Sequence, residues 1–185
     1  MSWIPMVSEE EAEGELAEVY REISGRRGKL SNIMRVQSLA PRAMKLHLDL
    51  YLELMFSRGG LSRAEREMIA VVVSVANDCT YCTLHHEAAL HAWWKDQDRV
   101  RRLRDDLDGV ELSDRERALV EYSQGLTRAP AEIDAGAIDR LREVGLADDE
   151  ILQANMIIAY FNFVNRIAEG LGVEAPPGEV EGYEY

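Results

Sequence analysis

Ser62 to His86 reads SRAEREMIAVVVSVANDCTYCTLHH, and its punctuation predicts two helices in quick succession. Ser62 and Glu65 form a capping-box pair, in which each side chain serves the other residue's backbone N–H, so a helix should start there. It runs through the apolar stretch MIAVVVSVA to about Ala76, where Asn77 and Asp78 interrupt it. Asp78 is a suitable N-cap for a second helix beginning at Cys79. Folding the two about Asn77 and Asp78 gives an antiparallel helical hairpin.

Helix signals continue on both sides of this hairpin, while the alternating β-branched runs that announce a sheet are missing. Ser8 with Glu11 predicts a helix start before Leu16, Val19, Tyr20 and Ile23, which fall at helical spacing. Pro41 suits the first position of a helix through AMKLHLDLYLELMF, and Ser57 to Gly60 supplies its stop. Ser113 with Glu116, Asp134 and Asp148 offer further starts, and Gly109, Gly145 and Gly170 stand near plausible ends. The expectation is all-α: a single-domain helical bundle of seven to nine helices. Residues 1–40 read as a helical extension packing on the core, 41–174 as the main helical domain, and 175–185 as an acidic irregular tail rich in Pro and Gly.

A chain of 185 residues is long enough to bury one substantial core without disulfide or metal staples. The first residues, MSWIPMVSEEEAEG, lack a basic stretch followed by an apolar one, so no secretory signal is expected. The apolar runs are far shorter than the roughly 20 residues a membrane span needs. We expect a cytoplasmic protein, a compartment in which a close Cys pair is more often catalytic, redox-sensing or metal-binding than structural. The net charge of −13, from 34 acidic and 21 basic residues, repels phosphate backbones and anionic headgroups, so neither nucleic acid nor membrane is an expected partner. The basic run RVRRLR, Arg99 to Arg104, is flanked by Asp96, Asp98, Asp105 and Asp106 and reads as a solvated, ion-paired helix face.

Cys79 and Cys82 are the only cysteines of the chain. At about 100° per residue, a helix puts Cys82 about 60° from Cys79 with His86 between them, and the Cα atoms of the two cysteines lie about 5 Å apart, within disulfide range. His86 follows Cys82 by four residues, the spacing at which side chains meet along a helix. The positive end of the helix favours thiolate over thiol, and a neighbouring imidazole can take the proton. His85 points about 100° away from His86 and is given a lesser role. In the hairpin, Glu67 comes level with residues 86 to 88, within reach of His86. It faces inward, where burial would raise its pKa. Glu67, His86 and Cys82 would then form an acid/base relay serving a thiol.

The stretch EREMIAVVVSVANDCTYCTLHH resembles the Glu-x11-Cys-x2-Cys-x3-His pattern of the alkylhydroperoxidase D-like proteins, within the wider carboxymuconolactone decarboxylase-like family. Its Glu is Glu67, its cysteines Cys79 and Cys82, its His His86. FNFVNRIAEGLGVE resembles the peroxidase-related branch. The resemblance implies an alkylhydroperoxidase D-like helical domain over 41–174, a homo-oligomer, and a thiol-dependent oxidoreductase that reduces hydroperoxides through a dithiol/disulfide cycle. Cys82 would be the attacking thiol and Cys79 the resolving one, with His86 and Glu67 moving protons. A dithiol reductant, a lipoyl-bearing or thioredoxin-like protein, would restore the pair. The prototype has a His between its cysteines where this chain has Tyr81, which removes one proton carrier.

Other readings stand beside this one. A zinc site from Cys79, Cys82 and His86 or His85 lacks a second Cys pair, so no metal is expected, and nothing signals a cofactor. A non-enzymatic, redox-switched helical binding protein, and decarboxylase-type chemistry on a small carboxylated substrate, are the alternative functions. His47 and His91 read as ordinary helix residues. Trp93 and Trp94 should end the Cys helix by packing into the core or an oligomer interface. Asn162, Asn165 and Arg166 should either bridge helices or line a pocket. The all-round apolar MIAVVVSVA suggests a helix that is deeply buried or shared between subunits.

Overall fold

In a computed structural model of the chain, which describes residues 2–183, the fold is all-α. Nine α-helices follow one another among the described residues: α1 (Gly14–Arg27), α2 (Asn32–Arg35), α3 (Pro41–Phe56), α4 (Arg63–Ala76), α5 (Thr80–Trp94), α6 (Gln97–Asp105), α7 (Asp114–Arg128), α8 (Ala135–Glu143) and α9 (Asp148–Leu171), with one 3-10 turn at Pro130–Glu132.

The apolar run of α4 explains the layout. Met68 to Val73 are at most 2% exposed, so this helix is surrounded by α5, α7 and α9. Its all-round apolar surface is thus consumed within one chain and no longer argues for a shared subunit interface. A second, smaller core joins α1 to α3 through Val19, Tyr20, Ile23, Met44 and Leu48.

Capping fixes where helices begin. The boxes at Ser62/Glu65 and Ser113/Glu116 both form. Arg115 links them to α9: its Nε donates to Glu65 at 2.7 Å and its Nη2 to Glu150 at 2.7 Å. Residue 148 is the first residue of α9 and Ala147 its cap, one position earlier than expected. Gly172, not Gly170, ends α9, because the left-handed φ of 63° at its end falls there. Ser8 and Glu11 exchange their capping bonds, but they close an isolated turn, and α1 starts only at Gly14.

The hairpin forms differently from expectation at one point. Asp78 does not cap α5; it is the left-handed residue (φ 55°) that ends α4. Its N–H bonds Val75 O at 3.1 Å and the next N–H, of Cys79, reaches Ser74 O at 2.9 Å, the paired closure of a Schellman motif. Asp tolerates this conformation better than most non-Gly residues, so one residue terminates a helix and hands the next, Cys79, to the N-cap of α5.

Polar groups of α9 hold this turn. Asn77 Nδ2 donates to Asn162 Oδ1 at 3.1 Å and Asn165 Oδ1 at 2.9 Å, and Asn165 Nδ2 donates to Ser74 Oγ at 3.2 Å. These asparagines bridge helices, while Arg166 folds back on Asn162 at the surface. The RVRRLR run is ion-paired, Arg99 to Glu116, Arg101 to Asp98 and Arg104 to Glu87. Trp94 packs beneath the Arg99 guanidinium at 3.9 Å, but Trp93 lies 48% exposed rather than in the core.

Candidate active site

Cys79 at the N-cap and Cys82 three residues later hold the two positions that a Ser and a Glu occupy in a capping box. Both are reduced and buried. Their side chains are hydrogen-bonded to each other, and this bond, with burial adding to it, pushes the Cys79 thiol well above its ordinary pKa, so Cys79 holds its proton. Cys82 lines a cavity of about 80 Å³, and Cys79 does not reach it.

His86, one turn along α5 from Cys82, lines the same cavity. Its Nδ1 meets Glu67 Oε2 of α4 at 2.6 Å, and the edge-on ring of Phe161 packs against the imidazole at 4.5 Å. Glu67 is 0% exposed, and its other oxygen accepts from Arg63 Nε at 2.9 Å. Burial pushes its pKa up, but the charges and hydrogen bonds of His86 and Arg63 outweigh burial and hold it below the ordinary value. The expected rise is therefore corrected: Glu67 is an ionised carboxylate held between the Arg63 guanidinium and the His86 ring. Arg63 was missed in the sequence, although its position four residues before Glu67 is the ion-pair spacing of a helix.

Three further side chains line the cavity, His85, His47 and Tyr160. His85 is not turned away: it lines the cavity, with its ring on Tyr81 (4.5 Å between centroids). His47, on α3, is no ordinary helix residue. Its Nε2 meets Tyr160 OH at 2.7 Å, its Nδ1 meets Gln37, and burial brings its pKa down to about 4, so the ring is neutral at pH 7. Tyr160, on α9, lies on the same wall. Histidines on an apolar helix face give no sign of which wall they will join.

Glu179, in the segment read as an irregular tail, does not line the cavity but contacts Tyr81 and His85, which do. It is 6% exposed; its Oε1 accepts from the Asn32 N–H at 2.8 Å and from Tyr81 OH at 3.0 Å, and lies 3.7 Å from His85 Nε2. Tyr81, between the cysteines, thus binds a carboxylate instead of carrying protons; burial, with the Glu179 charge, raises its pKa well above the ordinary value. Residues 184–185 of that tail lie outside the described residues.

Among the described residues no three His, Cys, Asp or Glu side chains come together as a ligand set for a metal, and no helix is long and apolar enough to cross a membrane.

Residues 41–122 match the carboxymuconolactone decarboxylase family. An uncharacterized peroxidase-related protein of Ralstonia eutropha JMP134, described as an alkylhydroperoxidase AhpD core, superposes with a TM-score of 0.87 at 24% identity over 97% of this chain and 94% of that one. A peroxidase-related protein of Silicibacter sp. TM1040 gives 0.83 at 26% identity over 97% and 91%. The debrominase Bmp8, solved with 2,3,4-tribromopyrrole, gives 0.80 at 18% identity over 97% and 96%. The first and third likenesses speak for the fold alone.

Proposed function

We propose, for a chain that belongs to the carboxymuconolactone decarboxylase-like family with an alkylhydroperoxidase D-like fold, a thiol-dependent reduction of hydroperoxides with Cys82 as nucleophile. The observation that carries this reading is that Cys82 shares its cavity with an imidazole whose far nitrogen is held by a fully buried carboxylate.

With Nδ1 engaged by Glu67, His86 has Nε2 left to take the Cys82 thiol proton, and the ionised Glu67 stabilises the imidazolium that forms. The thiolate attacks the distal oxygen of ROOH. An S–O bond forms, the O–O bond breaks, and the leaving alkoxide takes the proton back from His86 as ROH. The Cys79 thiol then attacks the sulfenic sulfur of Cys82; the S–S bond forms, S–O breaks, and hydroxide leaves with the Cys79 proton as water. That Cys79 keeps its proton until this step suits a resolving thiol. A dithiol reductant returns two electrons and two protons by exchange through a mixed disulfide.

The test is steady-state consumption of hydrogen peroxide and an alkyl hydroperoxide with dihydrolipoamide as reductant, with free thiols counted after one equivalent of oxidant. Wild type is expected to lose both thiols and turn over many times, and Cys82→Ser to lose all turnover. Cys79→Ser should stop after one equivalent, with a sulfenic acid trappable by dimedone. A single oxidation without turnover would convert the reading to a redox switch, and activity that survives Cys82→Ser would point to decarboxylase-type chemistry.

A further inference from the structure

After α9 the chain turns back across the first turn of α5. The anchoring is dense for a segment so rich in Pro, Gly and acid. Lys29 Nζ donates to the carbonyls of Gly178 (2.7 Å), Glu179 (2.8 Å) and Glu181 (3.3 Å). Asn32 Nδ2 donates to Glu174 O at 3.2 Å. Left-handed glycines at 178 and 182 (φ 81° each) bracket the turn that carries Glu179, a backbone shape that suits Gly far better than other residues. Glu179 itself is driven into the protein, where Tyr81 OH, the Asn32 N–H and His85 receive it. Tyr81 OH in turn accepts from the Ile33 N–H at 3.1 Å, so the phenol is fixed from two sides. Tyr183 completes the segment as part of the wall of the Cys82 cavity, its ring against His85 at 5.4 Å.

We propose that residues 174–183 form a strap, latched to the Cys-x-x-Cys turn by Glu179 on Tyr81, that sets the size of molecule able to reach Cys82. The size class rests on the hydroperoxide reading above; the strap's control of access does not. A carboxylate would not be buried in this position without a cluster of donors, and the donor between the two cysteines is the residue that a peroxidatic proton relay leaves unused. With the strap in place the space beside Cys82 is about 80 Å³, room for a few heavy atoms, where pockets for larger ligands run to about 300 Å³ and more. The substrates admitted by the closed site are hydrogen peroxide and hydroperoxides with a short alkyl chain. A dithiol borne on a protein reaches the Cys79–Cys82 disulfide only when the strap lifts, so the latch also orders the cycle: small oxidant first, bulky reductant after opening.

The test uses thiol alkylation, which needs no turnover. In a Cys79→Ser background, Cys82 is alkylated by iodoacetamide and by fluorescein-5-maleimide, and the ratio of bulky to small rate constants is compared across variants. Any change in the thiolate fraction of Cys82 affects both reagents alike and leaves the ratio unmoved. Glu179→Ala and Lys29→Ala, each checked for native helicity and cooperative melting, are expected to raise the ratio about tenfold by making local opening easier. Glu179→Gln keeps an acceptor for Tyr81 OH and the Asn32 N–H and is expected to stay near wild type; Tyr81→Phe, which keeps the ring and loses the hydroxyl, should raise the ratio as Glu179→Ala does. A ratio that stays within about twofold of wild type in the folded Glu179→Ala and Lys29→Ala proteins overturns the strap. Absence of peroxide turnover in the wild-type protein, with the expected alkylation pattern present in the Cys79→Ser series, overturns the hydroperoxide reading and leaves the strap standing.

Discussion

Glu67 keeps a full negative charge where no water reaches it, because Arg63 takes one carboxylate oxygen and His86 the other. Removing that charge leaves a guanidinium with 10% of its side chain exposed and no counter-ion. Glu67→Gln is therefore expected to destabilise the fold by about 3 kcal/mol in urea titrations, the scale of breaking a buried pair from one side. The sign of the pH dependence follows from the depressed pKa. Glu67's contribution is complete above its ordinary value of 4.5 and is lost as pH falls through the lower folded value. The gap between wild type and Glu67→Gln should thus be flat above about pH 5 and narrow in acid. That Glu67 and His86 would pair was legible in the sequence, since hairpin geometry and family resemblance both put them level. The direction of the pKa was not, because burial alone was weighed and the Arg63 side chain was not read as a partner.

Helix ends were the most legible elements, since a cap is a contact between residues three apart and needs nothing from the rest of the chain. Ser62/Glu65 and Ser113/Glu116 start helices as read. The break between α4 and α5 was seen but its chemistry was reversed, because an Asp before a helix suits an N-cap as well as a left-handed closing residue, and only the φ of 55° separates the two. Asp78→Gly should leave stability within about 1 kcal/mol of wild type, relief of the left-handed strain offsetting a freer unfolded chain. Asp78→Val should cost about 2 kcal/mol through the clash of its β-branched side chain, and should slow disulfide formation by displacing Cys79 from the N-cap. Denaturant midpoints and the rate of thiol loss under a mild oxidant check both. The strap was the least legible element: Glu179 bonds Asn32 across a separation of 147 residues, and composition alone reads such a stretch as irregular.

At the scale of the molecule, histidines buried as neutral rings tie folding to pH. His47 titrates at about 4 in the fold against 6.5 unperturbed, so the unfolded chain binds a proton that the native state refuses in that window. Its contribution is whole above pH 6.5 and is lost as pH falls toward 4, a decline of up to about 3 kcal/mol; His85, also lowered by burial, acts in the same sense. Denaturation midpoints measured from pH 7 to 4 should fall accordingly, and His47→Gln should flatten most of the slope. The sequence by itself determined the helical class, the principal helix starts and the line of Cys79, Cys82 and His86 along one helix, because each depends on residues a turn or so apart. Only the tertiary structure decided what surrounds that line: His47 and Tyr160 arriving from α3 and α9, and Glu179 folded over Tyr81. Those groups meet through burial and through hydrogen bonds between distant segments, and no local pattern encodes which buried polar group will find which partner.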